Sequence, residues 1–197
     1  MAHANKVARL IYLYGKFESY AYLNPDGWGE TASLLQLKSY MNRFQPHTLA
    51  VNAEFSIAWR MPDYRQLFLG ENRGLRGYPN YFKTGQKRIV VNLEDRIYPK
   101  IFIYSFGLGA TIFTDLGYIW DNDEPLQWHR PYVATGIGLR IGSTKTRGAA
   151  VFRFDFAIIF RREPQLVISL GNNHFFSAFQ NFAFVTPFTI KYGEYKE

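Results

Sequence analysis

Residues 49–60 decide the fold, and they read Leu-Ala-Val-Asn-Ala-Glu-Phe-Ser-Ile-Ala-Trp-Arg. Apolar residues occupy every second position, and the positions between them are mostly polar or small. The apolar set is Leu49, Val51, Ala53, Phe55, Ile57 and Trp59. A β-strand sends alternate side chains to opposite faces, whereas a helix would mix the two sets. The alternation therefore predicts a strand with one apolar face and one polar face.

The same alternation recurs along the chain. It is clearest in residues 89–98, 132–142 and 150–159, and it has softer boundaries in residues 8–22, 31–44, 105–120 and 165–176. Turn-forming residues separate the segments, as in Asn24-Pro25-Asp26-Gly27 and in residues 121–125. Together with residues 49–60, these segments predict eight antiparallel strands. Each is about as long as the ~9–11 residues that a tilted strand needs to cross a bilayer.

Two environments are open to an alternating all-β chain, a soluble β-sandwich and a membrane barrel. The chain is rich in aromatic residues, with 18 Phe, 14 Tyr and 4 Trp among 197 residues. Several Tyr and Trp residues stand near predicted strand ends, as in the girdles of a membrane barrel: Tyr20, Tyr22, Trp59, Tyr118, Trp120, Trp128 and Tyr132. The apolar faces are bulky, and the strands are longer than the usual ~5–6 residues of soluble sheets. Because only closure removes unpaired backbone edges in lipid, we expect a transmembrane antiparallel β-barrel of about eight strands.

The composition gives no support to several other classes of protein. The chain has no cysteine, which excludes a disulfide scaffold and a thiolate metal site. His3, His47, His129 and His174 stand at chain or strand ends without metal-ligand spacing, and no Gly-x-Ser-x-Gly motif occurs. The net charge of +7 is scattered, with no basic run of five residues. We therefore expect no enzyme activity, no cofactor or metal, and no nucleic-acid partner.

Five short motifs occur in a fixed order along the second half of the predicted sheet. They are Leu75-Arg76-Gly77-Tyr78, residues 92–96 (Asn-Leu-Glu-Asp-Arg), Phe113-Thr114-Asp115-Leu116-Gly117, residues 136–140 (Gly-Ile-Gly-Leu-Arg) and residues 153–157 (Arg-Phe-Asp-Phe-Ala). The series resembles the C-terminal barrel of the bacterial surface-antigen superfamily. That superfamily includes the BamA-type outer-membrane assembly factors, the two-partner-secretion transporters and the barrels fused to patatin-like lipases. The resemblance covers about residues 68–176.

The resemblance implies a contact between a long loop and the inner wall of the barrel. Its loop motif supplies Arg76, Gly77 and Tyr78, and its strand motif supplies Phe113, Asp115 and Gly117. Around this contact the resemblance implies a lumen network of Glu94, Arg96, Arg140, Arg153 and Asp155. The residues themselves agree in part, since an inward-facing carboxylate needs a partner and an arginine binds one bidentately. Without the motifs, an exposed loop arginine and a solvated Asp115 remain the alternative.

The chain departs from the family in its number of strands. Family barrels have sixteen strands, whereas here three predicted strands precede the loop at about residues 62–87 and five follow it. We expect a barrel over residues 1–176, with both ends on the periplasmic side and the loop on the outer side, and a C-terminal extension over residues 177–197. Eight strands can close alone around their own side chains. Two copies, or a missing half, would instead form a larger barrel.

The expected location is the bacterial cell outer membrane, with its lipids as partners. The resemblance implies a role in inserting or translocating proteins or lipids, with client outer-membrane proteins as further partners. A stand-alone structural barrel, self-associating as a homo-oligomer, is the first alternative, and a narrow passive pore is the second.

Overall fold

The computed structural model describes residues 10–24, 27–44, 46–60, 66–99, 101–126, 131–143, 151–160 and 164–171. Within these ranges the protein is all-β, and its helical structure is a single 3-10 turn at Glu71–Arg73. No helix in the described part is long and apolar enough to cross a membrane. The predicted C-terminal extension, residues 177–197, lies outside the described residues.

Eleven strands are present in the described part of the chain. In chain order they are β1 Leu10–Asn24, β2 Gly27–Phe44, β3 His47–Trp59, β4 Leu67–Leu69, β5 Lys83–Gly85, β6 Lys87–Ile97, β7 Phe102–Ile103, β8 Phe106–Trp120, β9 Tyr132–Ser143, β10 Val151–Phe160 and β11 Gln165–Gly171. The eight longer strands pair antiparallel in the order β1-β2-β3-β6-β8-β9-β10-β11. This confirms the prediction of an antiparallel sheet of eight strands.

Three short strands did not follow from the sequence pattern. β4 and β5 pair with each other inside the long loop, and β7 extends the hairpin that joins β6 to β8. Each spans three residues or fewer, which is too short for an alternating pattern to be read.

The sheet is open in the described part of the chain. There β1 pairs with β2 alone and β11 pairs with β10 alone, so the described strands do not close into the expected barrel. Alternation specifies which face a side chain takes and the register of neighbours. It carries no information on whether the first and last strands meet, and closure therefore could not be read from the pattern.

The polarity of the two faces of the sheet is the reverse of that in a soluble fold. Along β10, Phe152, Phe154, Phe156 and Ile158 are exposed, while Arg153, Asp155 and Ala157 between them are buried. β3 follows the same rule, because Asn52, Ser56 and Ala58 are buried while Leu49, Phe55 and Trp59 are exposed. Charged residues are almost never fully buried in soluble proteins unless they are paired. The sheet therefore directs its charged face inward and its apolar face outward.

The polar face is covered by residues 66–86, which we call the arginine loop. At one end Leu67 packs against Ala32 of β2 and Ala58 of β3. Its middle, with Leu69, Leu75 and Tyr78, forms one buried cluster with Val90, Ile119, Ala134 and Ile159 of β6, β8, β9 and β10. Val167 of β11 packs against the same cluster. Because this one loop reaches strands from β2 to β11, the sheet must curve around it.

Candidate functional site

Two glycines set the path of the chain on either side of Arg76. Gly74 ends the 3-10 turn with a φ of 99°, and Gly77 has a φ of 78°, a region that other residues rarely adopt. Space is also limiting, because a Cβ at Gly77 would lie 3.1 Å from the Cβ of Ala157 and from Cγ2 of Ile159. The Arg-Gly-aromatic motif is therefore a local requirement for bringing the arginine onto the sheet.

Arg76 binds Asp115 through both carboxylate oxygens. Its Nε donates to Oδ2 at 2.6 Å and its Nη2 donates to Oδ1 at 2.7 Å. The backbone N–H of Arg76 also donates to Oδ2 at 3.2 Å. The two residues are 1% and 0% exposed. The structure thus places these residues in the bidentate arrangement that the sequence motifs implied, and it removes both charges from solvent.

Glu94 and Phe113 also contact Arg76 directly. Its Nη1 donates to Oε1 of Glu94 at 2.7 Å, and its guanidinium lies 3.6 Å from the centroid of the Phe113 ring. Burial lowers the pKa of Arg76, but the carboxylates of Asp115 and Glu94 outweigh burial and hold that pKa above its ordinary value. The guanidinium therefore stays charged, with two carboxylates hydrogen-bonded to its N–H groups and the Phe113 ring in cation–π contact with it.

The structure brings the remaining residues of the expected lumen network into the same cluster. Arg96 Nε donates to Oε2 of Glu94 at 2.7 Å. On the other side Arg153 Nη2 donates to Oδ2 of Asp155 at 2.6 Å, and Arg140 Nη1 donates to Oδ1 of Asp155. Arg76 Nη1 lies 3.8 Å from Oδ2 of Asp155 and so links the two groups. Four arginines and three carboxylates, contributed by the loop and by β6, β8, β9 and β10, therefore form one cluster on the charged face.

The other three residues implied by the motifs lie at the edge of this cluster. Gly77 faces β10, as described above, and the Tyr78 hydroxyl is within hydrogen-bonding distance of two carbonyl oxygens, those of Val133 (3.1 Å) and Phe160 (3.3 Å). Gly117 lies beneath Leu69, since a Cβ there would be 2.8 Å from Leu69 Cδ1. The glycine of the strand motif thus makes room for the Leu69 side chain of the loop and not for the arginine.

Asn92, the first residue of the 92–96 motif, belongs to the site, although the sequence analysis assigned it no role. Its Nδ2 donates to the carbonyl oxygen of Gly74 at 2.6 Å and to Asp115 Oδ1 at 2.8 Å, while its Oδ1 accepts from Asn52 at 2.9 Å. Asn92 is fully buried. Both asparagines occupy polar positions of an alternating strand, so the alternation could have identified them.

A second, smaller attachment holds the start of the arginine loop. Arg88 Nη1 donates to the carbonyl oxygen of Phe68 at 2.7 Å, and Arg88 Nη2 pairs with Glu54. Arg88 is buried and lies on β6, and Glu54 lies on β3. The loop is therefore bound to the sheet by ionic groups at two separate points.

The arrangement is suited to binding a segment of the chain. Asp115, Glu94 and Asp155 each accept hydrogen bonds from at least one arginine. Of the histidines, His47 pairs with Asp95 at 2.8 Å on an exposed part of the sheet, and the other three lie outside the described residues. Within the described ranges, no group of three or more His, Cys, Asp or Glu side chains is placed to hold a metal ion.

No family model matches the chain, and no curated protein sequence is significantly similar to it. What the fold defines is a class: an all-β protein built on an antiparallel sheet of eight strands whose charged face is covered by its own loop.

Proposed function

We propose that the chain forms the wall of a bacterial outer-membrane β-barrel of the BamA-like surface-antigen type. Its role in the proposal is to assist the insertion or translocation of proteins or lipids at that membrane. The observation that carries the proposal is the inverted polarity of the sheet, charged toward the loop and apolar toward the outside.

The outward face forms continuous apolar rows across neighbouring strands. Ile112, Ile137, Phe156 and Ile168 stand directly opposite one another on β8, β9, β10 and β11, and they are between 43% and 60% exposed. Apolar surface left in water costs about 25 cal/mol per Å², and soluble monomers rarely expose patches larger than a few hundred Å². Acyl chains remove this cost, which favours a lipid environment for the face.

The length of the outward face also suits a bilayer. On β8 the outward series runs from Phe106 to Tyr118. At about 3.3 Å per residue these twelve steps cover about 40 Å along the strand. A strand tilt of ~45° reduces this to about 28 Å along the membrane normal, close to the ~30 Å of hydrocarbon. Aromatic rings end the series on both sides, as in membrane barrels.

In lipid, the backbone N–H and C=O groups at the open edges of β1 and β11 need hydrogen-bond partners, because the hydrocarbon contains no water to bind them. The proposed barrel is completed either by pairing of β1 with β11 or by pairing with a second copy of the chain. The mass of the refolded particle distinguishes the two.

A structural barrel without transport activity is the second candidate. The coverage of the polar face by the arginine loop favours it, because a loop bound at two ionic points fills the interior that a client or solute would use. The same coverage counts against a passive pore.

The test is refolding into detergent and into phospholipid vesicles, followed by heat-modifiable gel mobility and mass measurement. The second stage measures how fast a urea-denatured outer-membrane barrel folds into vesicles that already contain the protein, with empty vesicles as the control. Faster client folding supports assistance, and an unchanged rate leaves the structural barrel. A compact monomer that dissolves without detergent would refute the membrane location.

A further inference from the structure

An apolar hairpin tip lies at the end of the sheet opposite the arginine loop. Residues 101–106 read Ile-Phe-Ile-Tyr-Ser-Phe, and all five of their apolar side chains are exposed. Tyr104 is 99% exposed, and the other four are about half exposed. The segment carries no charge. We refer to residues 101–106 as the apolar tip.

The backbone holds the apolar tip beyond the end of the neighbouring strand. β6 pairs with β3 as far as Ile97 opposite His47, and after this point β7 pairs with β8, with Ile103 opposite Phe106. Tyr104 turns the chain with a φ of 53°, which is uncommon for a bulky residue. The turn directs the most exposed aromatic side chain of the described residues away from the sheet.

The position of the apolar tip along the membrane normal follows from β8. Phe106 is both the last tip residue and the first residue of the outward series that ends at Tyr118 near the arginine loop. If that series spans the hydrocarbon, the tip lies where acyl chains meet headgroups on the far side. Tyrosine and tryptophan are enriched at this interface, where the ring contacts acyl chains and its polar group reaches water.

We propose that the apolar tip is a membrane anchor, whose ligand is the phospholipid headgroup region of the leaflet opposite the arginine loop. The inference rests on the proposed membrane location and deepens it. A lipid surface fits better than a protein partner for two reasons. The tip continues the outward apolar face of β8 without interruption, and it has no charged group that would give a protein partner a specific orientation.

The absence of cysteine from the chain allows a clean labelling experiment. Three single-cysteine variants of the full chain are refolded into phosphatidylcholine vesicles and labelled with an environment-sensitive fluorophore. Tyr104→Cys reports on the tip, Ile112→Cys on the middle of the outward face, and Asp123→Cys on an exposed polar turn at the loop end. Each label is quenched in turn by aqueous iodide and by nitroxide lipids with the quencher at headgroup or mid-chain depth.

The anchor predicts that the Tyr104→Cys label is quenched most by headgroup-depth nitroxide, with iodide quenching several-fold weaker than for Asp123→Cys. The Ile112→Cys label should respond most to the mid-chain quencher, which tests the membrane location separately. A mid-chain response at Ile112→Cys together with full iodide access at Tyr104→Cys overturns the anchor and leaves the proposed function standing. Full iodide access at both positions overturns both proposals. Protection of the tip label in the absence of any nitroxide response would indicate a protein contact, and it too overturns the anchor.

Discussion

Replacing Arg76 with alanine removes the group that binds the arginine loop most extensively. The variant loses two side-chain hydrogen bonds to Asp115 and one to Glu94, with donor–acceptor distances of 2.6, 2.7 and 2.7 Å. Glu94 keeps Arg96 as a partner, and Asp115 keeps Asn92. The buried carboxylate of Asp115 is thus left without an arginine.

The expected loss of stability is large because the remaining charge stays buried. Removing one partner of a buried ion pair costs about 3–5 kcal/mol. Since about 1.4 kcal/mol corresponds to a tenfold change in an equilibrium constant, the population with a released loop should rise by about two to four orders of magnitude. Asp115→Asn should have a smaller effect, because asparagine keeps one acceptor oxygen for the guanidinium.

Limited proteolysis measures this release directly. Chymotrypsin cleaves after aromatic residues and leucine, and Leu69 and Leu75 of the loop are fully buried in the intact protein. Arg73→Ala is the matched control, because Arg73 lies three residues earlier and is exposed, with its guanidinium 5.1 Å from the centroid of the Phe68 ring. We expect its effect to stay within about 0.5 kcal/mol.

A double-mutant cycle decides whether the two side chains act together. If Arg76→Ala and Asp115→Asn act through one contact, the double variant should be cleaved about as fast as Arg76→Ala alone. Unchanged cleavage in both single variants, or effects that simply add, would refute the reasoning from the bidentate pair.

Three further outcomes follow from the structure. Gly77→Ala should destabilise the protein by about 1–2 kcal/mol, because its left-handed φ disfavours a Cβ, as measured by urea titration of the refolded protein. Asn92→Leu should lower stability by about 1–3 kcal/mol by leaving Asp115 and a loop carbonyl short of a donor, and faster chymotrypsin cleavage of the loop should accompany it. Ile112→Lys, midway along the outward face, should lower stability in vesicles by about 2–4 kcal/mol, whereas Asp123→Lys in the exposed turn should not; equal effects of the two would contradict a lipid-facing β8.

Alternation predicted the strands well because it depends on local chemistry alone. Exposed Phe154 and buried Asp155 on β10 occupy the faces that their spacing in the sequence requires. The same alternation puts Asp115 of β8 on the buried face. Strand bounds were less accurate where polar residues interrupt the pattern, as at the start of β2, which begins at Gly27 instead of Thr31.

The parts that were not predicted depend on contacts between distant segments. Arg88 pairs with Glu54, which lies 34 positions earlier in the sequence. No short motif marks this pair. Whether the sheet is open or closed likewise depends on whether β1 pairs with β11. The residue pattern of neither strand specifies that pairing. Motifs could locate Arg76 and Asp115, since each carries a local signature, and the 92–96 motif includes Asn92. No motif marks Asn52, which donates to Asn92 from β3.

The reach of the arginine loop has a consequence for the order of folding. Arg76 joins a carboxylate 39 positions away in the sequence, and Tyr78 lies within hydrogen-bonding distance of carbonyl oxygens 55 and 82 positions away. Forming such distant pairings costs loop-closure entropy before any contact offsets that cost. Hairpins between adjacent strands can form earlier, so the loop should settle last, once β8, β9 and β10 are aligned. Denaturation should then begin with release of the arginine loop. The first partly unfolded state would retain the paired strands but not the bound loop.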